Sequence, residues 1–116
     1  HAYEATLGYS KKLNHGEAVI LGFKTAAKFS HLNKFLDIKE YKVIENHLHK
    51  LSLPFNINKF FFKKDLKKIL SFMKKDKKNN TNKINLVLLK KVGMPIYNLQ
   101  FDEKKVNSFL KKELVK

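Results

Sequence analysis

Cysteine is absent from these 116 residues, and disulfides, thiolate metal ligands and cysteine nucleophiles go with it. Arginine is absent too, so all 25 basic residues are lysine. Arginine is the side chain that reads guanine and grips phosphate bidentately, and a dedicated nucleic-acid reader without any would be unusual. Its absence tempers the formal charge of +15, which by itself points to nucleic acid or an anionic membrane surface. The charge reads mostly as solvated surface, with a lysine-rich helical nucleic-acid-binding module kept as an alternative. Only four glycines occur, scattered at Gly8, Gly16, Gly22 and Gly93, and they form neither a dinucleotide fingerprint nor a P-loop. The hydrolase elbow GxSxG and the zinc-protease pattern HExxH are missing. No apolar run approaches the roughly 18–20 residues of a membrane span. The opening HAYEATLGYS lacks the basic start and apolar stretch of a signal peptide. The expectations are therefore no membrane, no nucleic acid and a cytoplasmic location.

What is present is a chain with 43% hydrophobic and 12% aromatic residues, enough for one compact domain with a modest core. Residues 16–32 carry apolar side chains on most faces over their first half, with Ala18, Gly22, Ala26 and Ala27 small enough for close helix approach. They predict a buried helix. Asp37 stands at an N-cap position ahead of Ile38, Tyr41, Ile44, Leu48 and Leu51 at helical spacing, and Pro54 ends that element. A third helix is expected over about 63–74 with Leu66, Ile69, Leu70 and Met73 on one face. Residues 76–82 then read as a polar loop. From Ile84 the β-branched and leucine-rich run predicts a strand, with Gly93 and Pro95 turning it into a hairpin. Asp102 is placed to cap a last helix carrying Val106, Phe109, Leu110 and Leu114. The expected fold class is mainly α, a helical cluster with one small β-hairpin and no internal domain boundary.

Five histidines are the candidates for site chemistry. His47 and His49 lie two apart on a helix and point to different faces, which argues against joint ligation. His31 falls near a helix C-terminus, where the dipole favours it. His15 stands on the rigid start of a helix beside Gly16 and Glu17, where it is either a metal ligand or a partly buried structural histidine. A zinc site needs three or four protein ligands, and spacing alone supplies no complete set. His1 and Glu4 form an i, i+3 pair at the terminus. Lys77 and Lys78 follow Asp76 at a loop entry, where two ammonium groups either face an anion or are one more of the chain's adjacent lysine pairs.

The order of these residues resembles the 3-dehydroquinate synthase family. Its motif region reads GHxxGHAxE, a Gly-Tyr, a variable stretch and HGEAVxxGM. Here these are His1-Ala2-Tyr3-Glu4, Gly8-Tyr9 and His15-Gly16-Glu17-Ala18-Val19 with Gly22, and Phe23 stands where the motif has Met. Met73, Asp76, Lys77, Lys78, the strand from Ile84 to Leu89 and Gly93 resemble the family's M-x-x-DKK, loop, strand and turn.

The resemblance implies conversion of 3-deoxy-D-arabino-heptulosonate 7-phosphate to 3-dehydroquinate and phosphate in the shikimate pathway, with transient oxidation by NAD, phosphate elimination and aldol cyclisation. It implies that His15 is a ligand of zinc (or cobalt), that His1 acts in the substrate site, and that Lys77 and Lys78 hold anionic substrate groups, Lys77 being the favoured contact. A homodimer of the full-length enzyme is implied as well, and an inosose-type sugar-phosphate cyclase is the close alternative. By the same resemblance the motif's first histidine, the acidic zinc ligand and an N-terminal NAD-binding α/β domain would precede His1. Residues 1–116 then form the C-terminal helical metal and substrate domain of a truncated chain, inactive alone.

Overall fold

The computed structural model describes residues 1–8, 13–51, 56–74, 83–91 and 93–115. The described chain is mainly helical with one antiparallel hairpin, as the periodicities predict. Its elements are α1 (Ala2–Thr6), α2 (His15–Leu32), α3 (Ile38–Lys50), α4 (Leu66–Met73), β1 (Lys83–Lys91), β2 (Met94–Asp102) and α5 (Glu103–Glu113). Two 3-10 turns, Ile57–Lys59 and Lys63–Asp65, lead into α4. Pro54 and the loop expected over 76–82 lie outside the described residues.

Helix α2 is the organiser, and its start is set by a reciprocal cap. The Asn14 side chain accepts from the Glu17 amide at 2.8 Å, and the Glu17 carboxylate accepts from the Asn14 amide at 3.1 Å. Two of the orphan amides at the helix start are thereby satisfied. The helix then divides two apolar clusters. Ala18, Leu21 and Phe29 face a core shared with Tyr3, Phe61, Ile69, Ile84, Leu88, Val106 and Leu110. Ala27 faces a smaller one built from Leu36, Tyr41, Ile44, Leu48 and Leu89. The expectation of burial on most faces is corrected here: Val19 and Phe23 are 55% and 41% exposed, so one stripe of α2 stays open. Gly22 is corrected as well. A Cβ built on it would meet nothing within 4 Å, so it bounds a cavity and does not permit a close helix crossing.

Asp37 caps α3 as its position suggests, and Tyr41, Ile44 and Leu48 are buried while Ile38 and Leu51 remain open at the two ends. In the hairpin, Ile84 pairs with Phe101 and Leu86 with Leu99, with irregularities between Leu86 and Leu88 and between Leu89 and Lys91. Gly93, at φ +78°, supplies the left-handed turn residue that other side chains resist. Pro95 is already in β2 opposite Leu89 rather than in the turn. A strand with a free edge tolerates the missing amide hydrogen. Asp102 holds the N-cap position of α5 but makes no capping hydrogen bond with its side chain. Its carboxylate takes a bond from Lys83 at 2.9 Å, closing the open end of the hairpin, and that ammonium holds the carboxyl below the usual aspartate range.

Candidate functional site

The first motif segment becomes α1, set by two inward residues, Tyr3 through a bond to α2 and Thr6 through one within α1. Tyr3 is buried, packs against Phe61 with ring centroids 5.2 Å apart and the planes tilted by 35°, and donates its hydroxyl hydrogen to Thr25 at 2.9 Å. Thr6 is buried and donates to the Ala2 carbonyl. Burial pushes the Tyr3 hydroxyl far above the usual tyrosine range, outweighing the opposing hydrogen bond with Thr25. Between these anchors, Glu4 meets the first residue of α2: its Oε1 lies 3.0 Å from Nδ1 of His15. The side chain of Glu4 is 13% exposed and that of His15 is 72% exposed. A sheltered carboxylate thus holds an open imidazole.

Spacing pairs Glu4 with His1, whereas the structure pairs it with His15. The available signal was the short connection between α1 and α2, since helices so joined pack antiparallel and bring distant residues face to face. His1 instead lines a cavity of about 360 Å³ between α1, α2, α4, β1 and α5. The α2 wall of that cavity is Gly22, Thr25, Ala26 and Phe29, about 10 to 20 Å along the helix from His15 at 1.5 Å per residue. Most of its lining is apolar, as with Phe29, Phe72 and Phe109, and the Thr25 hydroxyl is already bonded to Tyr3 and the Leu21 carbonyl. Met73, the last residue of α4, shares the cavity wall with His1, and two residues further the chain enters the stretch carrying Lys77 and Lys78. Those two lysines lie outside the described residues.

The remaining histidines stay apart from this corner. His31 bonds through Nδ1 to the Leu36 carbonyl at 3.1 Å and stacks on Tyr41 at 5.5 Å, a structural role at the end of α2. His47 and His49 lie exposed on α3. A second polar cluster ties α2, α3 and α5 together. Lys28 pairs with Glu113 at 2.7 Å and Tyr41 donates to Glu45 at 3.1 Å, with Lys24 buried near both carboxylates. Burial drives the Lys24 ammonium below the usual lysine range, and neighbouring Lys28 adds to the effect. Burial pushes the Glu45 carboxyl up, but hydrogen bonds from Lys42 and Tyr41 outweigh it and leave it below its ordinary value.

Comparison with known proteins decides what the first corner belongs to. The family model for the C-terminal part of 3-dehydroquinate synthase matches residues 1–79. The chain belongs to the 3-dehydroquinate synthase C-terminal family. It is 67% identical over its whole length to the 3-dehydroquinate synthase of Pelagibacter ubique, of which it covers 32%. It is 36% identical to that of Coxiella burnetii, with 95% of this chain and 30% of that protein aligned. A Bradyrhizobium 3-dehydroquinate synthase is 32% identical over 98% of this chain and 31% of its own length. The chain therefore spans about a third of the length of the curated relatives it matches. No solved structure matches it significantly.

The zinc expected for this family can be tested against the residues themselves. Among the described residues no group of three or more His, Asp or Glu could hold a metal ion. What is present is one open imidazole whose Nδ1 is occupied by a carboxylate, leaving Nε2 as the nitrogen with a lone pair. Metal-binding histidines are commonly held in this manner. The donor set fits one corner of a zinc site and no more. Among the described residues no helix is long and apolar enough to cross a membrane.

Proposed function

We propose that this chain is the metal- and substrate-carrying C-terminal part of 3-dehydroquinate synthase, acting on 3-deoxy-D-arabino-heptulosonate 7-phosphate together with an NAD-binding α/β domain outside these residues. The observation that carries the proposal is the convergence of the two motif segments on one contact, Glu4 to His15, in a chain 67% identical throughout to a 3-dehydroquinate synthase. Zinc would polarise the hydroxyl that is oxidised, and NAD would take up and later return the hydride. His15 contributes one ligand at the open end of α2. Lys77 and Lys78 supply positive charge to the phosphate as it departs, where fixed charges act most strongly. His1, one helical turn from Glu4, is assigned to the substrate site as a proton-handling group. With one candidate ligand of the zinc site among the described residues and no nucleotide-binding motif in the sequence, the 116 residues by themselves are expected not to turn over. The assembled enzyme is taken to be a cytoplasmic homodimer.

The test is phosphate release from the heptulosonate phosphate by the longer enzyme containing this sequence. Activity is expected to depend on zinc and NAD, to vanish in His15→Ala, and to fall by about 10²–10³-fold in Lys77→Ala, the scale of losing one electrostatic donor. Full activity in His15→Ala would overturn the metal assignment.

A further inference from the structure

We propose that Glu4 is a positioning residue which fixes the His15 imidazole in its Nδ1–H tautomer, so that Nε2 is the nitrogen offered to a metal ion. The proposal rests on the functional reading above and extends it to a residue to which no role has been given. The two carboxylates near His15 have different employments. Glu17 is committed to the Asn14 amide in the helix cap, and among the described residues it is Glu4 that reaches the ring. A carboxylate accepts hydrogen bonds and cannot donate them, so Nδ1 must carry the hydrogen and the lone pair of the neutral ring falls on Nε2.

The asymmetry of exposure separates this contact from an ordinary surface ion pair. In the exposed pairs Lys42–Glu45 and Lys83–Asp102 both partners are substantially open, at 58% and 31% and at 50% and 64%. In the His15 pair the carboxylate is 13% exposed and the ring 72%. Glu4 sits on the helix that Tyr3 anchors to α2, so the fixed member is the acid and the presented member is the imidazole. A contact that only clipped α1 to α2 would not need an open ring. Tyr3 and Thr25 already make that connection.

The test needs no turnover. In the longer enzyme containing this sequence, freed of metal and labelled with ¹⁵N-histidine, long-range ¹H–¹⁵N correlation spectra taken where the ring is neutral report which nitrogen bears hydrogen. His15 is expected as the Nδ1–H tautomer in the parent chain and as a mixture dominated by Nε2–H in Glu4→Ala. Glu4→Gln, whose amide oxygen can accept the same hydrogen, is expected to restore much of the Nδ1–H form. An Nε2–H tautomer in the parent chain would overturn the proposal, a result that requires no variant to fold. So would an unmixed Nδ1–H tautomer in a Glu4→Ala chain with unchanged circular dichroism.

In the longer enzyme, cobalt titrated by its d–d absorption is expected to bind 10–100-fold more weakly in Glu4→Ala. If His15→Ala abolishes cobalt binding and Glu4→Ala leaves it unchanged, positioning by Glu4 is overturned while the metal reading stands. If the tautomer behaves as expected but cobalt binds equally well to His15→Ala, the metal reading falls while the fixed tautomer stands.

Discussion

Two polar clusters lie on α2, one at its first residue and one near its middle, and they use the same kinds of side chain to opposite ends. At the start, a sheltered Glu4 holds an open His15. Further along, Lys24 is 5% exposed, Lys28 pairs with a 16%-exposed Glu113, and Tyr41 is bonded to Glu45, all at the junction of α2, α3 and α5. Removing one partner from a buried ionic group leaves a charge without compensation, whereas an exposed group falls back on water. Burial, and not residue type, therefore sorts the two: the inner cluster belongs to the fold, and the outer one is the part proposed for chemistry.

The largest expected effect comes from breaking the inner cluster. Glu113→Ala strips the partner from Lys28 and reduces the negative charge near buried Lys24, and is expected to cost about 2–3 kcal/mol, somewhat below a fully buried pair. Urea denaturation at neutral pH measures it. A cost under about 0.5 kcal/mol, the level of an ordinary surface substitution, would place the cluster with the exposed pairs.

Next in size is Tyr3→Phe, which removes the bond to Thr25 and is expected to cost about 1 kcal/mol. It carries a pH signature as well. The folded state holds the Tyr3 hydroxyl above its ordinary value, so the corresponding stability is complete below pH 10. It is lost as pH rises beyond that, because the unfolded chain gives up the proton first. Denaturation midpoints at pH 9 and pH 11 should fall less in Tyr3→Phe than in the parent chain. Comparing the two proteins isolates Tyr3 from Tyr41 and Lys24, which titrate nearby.

His15→Ala sharpens the contrast from the other side. With a ring 72% exposed, the expected loss of stability is below about 0.5 kcal/mol, although the same change is expected to abolish activity in the longer enzyme. The smallest effect belongs to Asp102→Asn, an exposed partner of Lys83, for which a slight loss at the edge of detection is expected in denaturation at neutral pH. Only on acidification through the depressed Asp102 range should the parent lose an advantage over the variant.

Local order carried most of the fold into view. The 3.6-residue spacing of Tyr41, Ile44 and Leu48 and of Val106 and Leu110, together with the cap at Asp37 and the left-handed Gly93, produces the elements the chain adopts. These signals act over one or two turns, which is the reach of hydrogen bonding along a helix or across a hairpin. What they could not convey are meetings between elements. Glu4 meets His15 across eleven residues and Lys28 meets Glu113 across eighty-five, and no spacing rule encodes either. The open stripe of Val19 and Phe23 was hidden for a related reason. A helix apolar on most faces gives no sign of which face its neighbours leave uncovered. His15 was singled out through family resemblance, while Glu4 was paired with His1 because i, i+3 proximity within α1 was the nearer pairing, and the structure pairs it with His15.

Ser30 carries a consequence for the hairpin. Its hydroxyl donates to the Ala26 carbonyl at 2.6 Å and accepts the Leu89 amide of β1 at 3.0 Å. Leu89 stands opposite Pro95, a residue with no amide hydrogen to give. A helix side chain therefore takes the place of a third strand at the point where the ladder is weakest. Hydrogen exchange should find the Leu89 amide slow for an edge position. In Ser30→Ala that amide should exchange far faster, and the bared edge of β1 becomes the place where two copies of the chain would first stick together.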